Sequence, residues 1–220
     1  HALMQSLLAD FTAAGGVLVC RAPVTAALTD EQGHRLTLGG ESPCVLCAPE
    51  VVNAAGLGAL PLASQWVNLP QETLPRGYYG KGHYFTYNGR HPFKRLIYPL
   101  PDAAGLGIHL TLDLAGQARF GPDLEWVQQP DYQVAESLRG NFALAIQRWW
   151  PGLDPARLAP AYAGVRPKLH GPGEGVADFM LQGPRDHGLE GLVQLFGMES
   201  PGLTASLAVA EAVLGLLESG

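Results

Sequence analysis

Hydrophobic and polar positions change period several times along this chain, and each change predicts an element. Leu3, Leu7, Leu8 and Phe11 recur at helical spacing, so residues 1–14 read as an amphipathic helix ended by Gly15-Gly16. The apolar run Val17–Cys20 predicts a short strand, and Pro23–Leu28 predicts another. A turn at Asp30–Gly33 leads into a strand over Arg35–Leu38. Pro43 to Asn53 is strand-like on both sides of Ala48-Pro49, and a helical stretch follows through Leu62 and Ala63.

From Tyr78 to Trp126 the chain is rich in aromatics and strand formers, with turns at Asn88-Gly89, Asp102–Gly105, Ala115-Gly116 and Gly121-Pro122. That pattern predicts antiparallel strands over 79–87, 94–99, 106–112 and 117–120. Tyr132–Trp150 returns to helical spacing through Val134, Leu138, Phe142, Ile146 and Trp149, and stops at Pro151-Gly152. Leu153–Leu158 reads as a helical turn, Ala161–Leu169 as extended, and Val176–Gln182 and Gly191–Phe196 as closing strands. Leu203, Leu207, Ala210, Val213, Leu214 and Leu217 then mark a final helix, with Ser200 as its N-cap and Pro201 in its first position. A strand, a turn bearing Gly202 and a helix start together present free N–H groups, which suit an anion or an electron-rich ring edge. An ordinary well-capped final helix has the same pattern.

Composition narrows the class. The chain has 220 residues, 47% of them hydrophobic, enough for one domain or two intimately connected ones. A net charge of −6 without a basic cluster excludes a nucleic-acid surface. No apolar run reaches membrane-spanning length, which leaves association with a membrane surface or a quinone open. The chain starts at His1, without an initiating methionine or the basic start of a signal peptide, so a piece of a longer protein is expected. Three cysteines argue for a reducing compartment, hence a cytoplasmic location. Cys44 and Cys47 lie three apart in a strand, pointing to opposite faces, and are expected to be buried, unpaired and metal-free. The scattered histidines offer no metal constellation, and no Gly-x-Ser-x-Gly elbow suggests hydrolysis.

Four residues carry candidate chemistry. Arg166 precedes Pro167 in an extended, otherwise apolar segment; its fork matches a carboxylate, although an internal salt bridge would satisfy it equally. His109 sits in the apolar strand Leu106–Leu112, where most lone histidines are structural. Lys81 lies between Gly80 and Gly82, where a backbone passes close to something, or is a solvated strand residue. Tyr98, in Ile-Tyr-Pro, is a hydrogen-bond donor or a core side chain.

Several segments, in this order, resemble FAD-dependent oxidoreductases of the D-amino-acid-oxidase superfamily, and most closely the L-2-hydroxyglutarate dehydrogenase/oxidase branch. They are Val51-Val-Asn-Ala-Ala-Gly-Leu57, Lys81-Gly-His-Tyr84 with Leu96-Ile-Tyr-Pro-Leu-Pro101, Gly164-Val-Arg-Pro-Lys-Leu169 and Glu199-Ser-Pro-Gly-Leu-Thr204. Leu106-Gly-Ile-His109-Leu-Thr and Phe120-Gly-Pro-Asp123 add two more such spacings. The resemblance implies an α+β fold in which residues 1–66 and 176–220 belong to an α/β FAD-binding domain and 67–175 to a substrate domain with a mixed or antiparallel sheet. It implies FAD, held in part by Asn53, Ala54, Gly56, Pro201, Gly202, Leu203 and Thr204.

The substrate implied is a small 2-hydroxy acid, oxidised to the 2-oxo acid. Arg166 would hold its carboxylate and His109 would act as base. Lys81 would bind a distal carboxylate or sit near flavin N5, and Tyr98 would donate to substrate. No Gly-x-Gly-x-x-Gly occurs here, so the expectation is a fold truncated at its N-terminus, whose partner is the segment carrying that motif. An amino-acid or glycerol-3-phosphate oxidising relative, and a non-catalytic fragment without cofactor, are the alternatives.

Overall fold

The computed structural model describes residues 1–100 and 107–218. They form two compact units. The first comprises His1–Leu74, Gln182–Gln194 and the C-terminal residues from Val213; the second comprises Pro75–Leu181 and Leu195–Ala212.

In the first unit, helix α1 (Ala2–Ala13) forms as its periodicity predicts but buries none of its residues; Leu3, Met4, Leu8 and Phe11 are exposed. Val17–Cys20 is not a strand: it runs irregular and exposed, and pairs with no strand among the described residues. Strands β1 (Val24–Asp30), β2 (Gly33–Leu38) and β3 (Cys44–Ala48) form an antiparallel meander. Strand β4 (Val51–Asn53) and the short helix α2 (Ala59–Ser64) follow, then strand β5 (Trp66–Val67), which pairs parallel with β1. Contrary to expectation, Cys44 and Cys47 are exposed, as is Cys20, because β3 is the outer strand of its sheet. All three are free thiols.

The second unit is built on the long strand β6 (Tyr78–Tyr87). Around it lie β7 (Leu110–Leu112), β8 (Ala118–Phe120), β9 (Glu125–Val127) and the long strand β10 (Leu158–Lys168), all antiparallel to their neighbours. The strand expected over 94–99 is reduced to one bridge, Ile97 to Leu110, and the turn expected at Asp102–Gly105 lies outside the described residues. Helix α3 (Arg139–Gln147) is shorter than its periodic stretch and is preceded by a 3-10 turn. Its Phe142 and Ile146 pack on Phe85, Leu110, Phe120 and Leu158 to make the core. Each such burial stabilises by about 1.5–3 kcal/mol.

The chain then passes through β11 (Met180–Gln182), the short helix α4 (Pro184–His187) and β12 (Leu192–Phe196) to helix α5 (Ser206–Glu218). Strand β12 is parallel to β4, with Gln194 opposite Asn53. The final helix starts at Ser206, not near Ser200; residues 200–205 are turns.

Candidate active site

Strand register decides which side chains can meet. Arg166 pairs with Gly80, Gly164 with Gly82 and Tyr162 with Tyr84, so these residues share one face of the β6–β10 ribbon. Val165 with Lys81 and Ala163 with His83 belong to the opposite face. Phe85 pairs with Phe120, which pairs with Leu110, and all three are fully buried on that opposite, core side. Alternation therefore turns His109, next to Leu110, to the Arg166 face. Ile97 packs against the core and bridges Leu110, so Tyr98 is turned the same way. The Tyr98 and His109 rings stack, with centroids 4.0 Å apart and planes 11° from parallel.

Along this face runs a row of aromatic and cationic groups. Tyr84 and Tyr162 stack at 4.5 Å and 13°. Burial pushes the Tyr84 phenol above its ordinary pKa, and the neighbouring Tyr162 phenol adds to this, while Arg166 beside it pulls the other way. Tyr84 therefore keeps its proton through the neutral range and remains a donor. The Arg166 side chain is 32% exposed, and its guanidinium lies 3.9 Å from Glu199 Oε2. Lys168, two residues along on the same face, donates to Glu199 Oε1 at 2.7 Å. Glu199 is thus held by Lys168, and Arg166 keeps donors for a second carboxylate. A cavity of about 700 Å³ is lined by Gly80, Gly82, Ile108, Leu124, Arg166 and Lys168, among others. Gly82 has no alternative there, since a Cβ would come within 2.7 Å of Pro122.

The opposite face closes its charges on itself. Lys81, 5% exposed at its side chain, pairs with Asp131, which holds the Asp131 carboxyl below its usual range. His83 is buried, with Nδ1 2.8 Å from Asp123 Oδ1 and Nε2 3.4 Å from Glu125 Oε2. Lys81 is therefore corrected as a member of the Arg166 site: one step of strand alternation separates it from Gly80, and its charge is already met.

Pro201, Gly202, Leu203 and Thr204 lie in the turns before α5. Gly202 donates its N–H to Glu199 O, and Ala205 and Ser206 donate theirs to Pro201 and Leu203. Among the described residues, the N–H groups of Leu203 and Thr204 have no backbone acceptor. In the first unit, the buried Asn53 side chain donates to Ala59 O and Gln194 Oε1 and accepts from Ala55 N–H, which fixes the turn through Ala54 and Gly56. Gly56 needs its freedom, having a φ of +58°.

The family model of the FAD-dependent oxidoreductases (DAO) matches residues 1–216. The chain belongs to that family. L-2-hydroxyglutarate dehydrogenase, mitochondrial, of Arabidopsis thaliana is 46% identical over 173 residues, covering 73% of this chain and 36% of that protein. A glycerol 3-phosphate dehydrogenase of Caloramator mitchellensis is 27% identical over 172 residues, covering 77% of this chain and 34% of that one. The chain thus spans about a third of the length of these curated relatives. Among solved structures, L-alpha-glycerophosphate oxidase from Mycoplasma pneumoniae, with FAD bound, superposes with a TM-score of 0.71 at 20% identity, covering 90% of this chain and 50% of that one. Iminodiacetate oxidase from Chelativorans sp. BNC1 gives 0.70 at 17% identity, covering 99% and 54%. These two show the α+β fold of FAD-binding oxidases.

The family's cofactor is FAD, and the loop before α5 fits it. Two adjacent N–H groups, of Leu203 and Thr204, are open to an electron-rich ring edge. At Gly202 a Cβ would stand 2.7 Å from Glu199 O, so only glycine permits this turn. Sequence reasoning missed Tyr84, Tyr162, Arg119, Asp131 and the pairing of Glu199. Tyr84 and Glu199 lie inside segments that carry the family resemblance, whereas Arg119 and Asp131 have no local signal. Among the described residues no cluster of histidine, cysteine or carboxylate side chains could hold a metal ion, and no helix is long and apolar enough to cross a membrane.

Proposed function

We propose that the intact protein oxidises a 2-hydroxy acid, of the L-2-hydroxyglutarate kind, to the 2-oxo acid. The observation that carries this is the shared face of Arg166 and His109, together with a relative at 46% identity named for that activity. Bound FAD supplies the acceptor for the hydride that leaves C2. Arg166 takes the substrate carboxylate through its planar fork and so fixes the orientation of C2. His109 takes the proton of the C2 hydroxyl, a task for which imidazole is suited at neutral pH. Stacking on Tyr98 restricts the imidazole to one plane. The Leu203 and Thr204 N–H groups would donate to an electron-rich edge of the flavin, and Asn53, Ala54 and Gly56 would help to hold the dinucleotide. Lys81 has no part in this reading.

A glycerol-3-phosphate substrate is the second reading, favoured by the 27% identical relative and by the ability of arginine to hold a phosphate. Anaerobic mixing of the intact flavoprotein with L-2-hydroxyglutarate, glycerol 3-phosphate and an amino acid, followed by flavin absorbance, decides between them. Bleaching by the hydroxy acid alone is expected; bleaching only by another substrate removes the proposal.

Two further expectations belong to the whole protein. The exposed apolar side chains of α1 and of β3, Val45 and Leu46 among them, pack against further polypeptide that carries the pyrophosphate-binding glycines. The free thiols fit a reducing compartment such as the cytoplasm. Solvent accessibility of the α1 residues in the intact protein, read by hydrogen exchange, tests the first; localisation of a tagged chain tests the second.

A further inference from the structure

Beyond Arg166, the face that carries the candidate site holds a second arginine whose charge is only partly met. Arg119 pairs with Thr86 across β6 and β8 and with Thr111 across β7 and β8. Thr86 lies two residues from Tyr84, so Arg119 points to the same side of the sheet as Tyr84, Tyr162 and Arg166. Its guanidinium carbon lies 5.9 Å from the centre of the Tyr162 ring, and Tyr162 stacks on Tyr84, beside which Arg166 lies. The order across the face is therefore cation, two stacked rings, cation.

Asp113 is the one acid the described residues place on Arg119. Its Oδ2 accepts from Arg119 Nη2 at 3.1 Å, while its Oδ1 accepts the Ala115 and Gln117 N–H groups of the β7–β8 turn. One contact of this kind leaves most of the five N–H donors of a guanidinium unused. The Arg119 side chain is 37% exposed, so those donors are accessible. A guanidinium lying over an aromatic ring keeps its N–H edge directed outward, in the geometry that receives a carboxylate. Tyr162, 44% exposed, offers apolar ring surface between the two cations.

We propose that Arg119 forms a second carboxylate subsite, and that the site accepts a dicarboxylate lying across the Tyr84–Tyr162 pair, with one end on Arg166 and the other on Arg119. This deepens the 2-hydroxy-acid reading by assigning the distal carboxylate to Arg119 instead of Lys81. It rests on that reading for the identity of the Arg166 end, so the test uses binding instead of turnover.

The experiment is calorimetric titration of the intact flavoprotein with glutarate and with pentanoate, which share a five-carbon chain and differ by one carboxylate. Wild-type protein is expected to bind glutarate at least tenfold more tightly, about 1.4 kcal/mol. In Arg119→Met that advantage disappears while pentanoate affinity stays within threefold. In Arg166→Met both ligands weaken. Asp113→Asn separates the subsite from bracing of the β7–β8 turn, because it removes the acid and keeps the arginine; it is expected to preserve the glutarate preference. Equal affinity of wild-type protein for the two acids overturns the proposal. So does an Arg119→Met variant, folded by its melting curve, that keeps the preference. Failure to oxidise 2-hydroxyglutarate would remove the proposed function and leave this binding result standing.

Discussion

The two faces of the β6 sheet each carry a cation and a histidine, yet they are built for opposite ends. On the core face Lys81 meets Asp131, and His83 lies between Asp123 and Glu125. On the other face Arg166 and Arg119 stand a third exposed, each held by a carboxylate at one point, and the His109 ring stacks on Tyr98. Residue type does not separate the groups. Completeness of local compensation does: a charge that is fully answered inside the chain stabilises it, and one that is partly answered is available to a ligand.

The sharpest way to break this comparison is His109→Ala in the intact flavoprotein. Flavin reduction is expected to slow by about 10²- to 10⁴-fold, the usual worth of a general base, with FAD still bound. A single-turnover rate within threefold of wild type would place the base elsewhere. Arg166→Met is expected to act next, weakening substrate by about 10- to 100-fold, chiefly in KM, through loss of charge-assisted hydrogen bonds. An effect confined to kcat would contradict a carboxylate-binding role.

The core face should answer in stability instead. Asp131→Asn leaves Lys81 buried with its charge unmet. A loss of stability is expected by denaturant titration, smaller than for a fully buried pair because Asp131 is 47% exposed. Lys81→Met, which removes the charge itself, is expected to leave flavin reduction within about threefold of wild type. A large loss of turnover in a folded Lys81→Met protein would restore Lys81 to the site.

A smaller effect concerns closed histidines elsewhere. His34 Nδ1 lies 2.8 Å from the Thr29 hydroxyl, which also receives the Trp66 indole N–H, and burial of His34 lowers its pKa below 6.5. Burial lowers the pKa of His187 too, and the nearby His34 adds to this. A histidine whose folded pKa is depressed is protonated first in the unfolded state. Its contribution to stability is therefore complete above pH 6.5 and declines as the pH falls from there toward the folded pKa values. Replacing His34 with Gln should flatten that decline in melting temperature between pH 7 and 5; an unchanged slope would remove His34 from the account.

Much of the architecture is local and was legible from the chain. The alternation in Tyr78–Tyr87, the Gly164-Val-Arg-Pro run and the period of α5 each express a pattern that a few neighbouring residues determine. Arg166 was legible for the same reason, since an arginine before proline in an apolar strand stands out. What the chain alone left open was partnership. Lys81 and Arg166 are both cationic strand residues, and only the pairing of Arg166 with Gly80 sends them to opposite faces. That register joins segments some eighty residues apart and includes an irregularity between Pro160 and Tyr162; moving it by one residue would exchange the faces.

The start of α5 was decided in the same way, because Glu199 is tied to Lys168 and the Gly202 turn closes on Glu199, which delays the helix to Ser206. Cys44 and Cys47 were misplaced because burial depends on what covers a strand, and β3 ends its sheet. Sequence determined most of the elements and the chemical groups available to them. Tertiary structure alone decided which groups answer one another, because burial and charge compensation depend on residues distant along the chain.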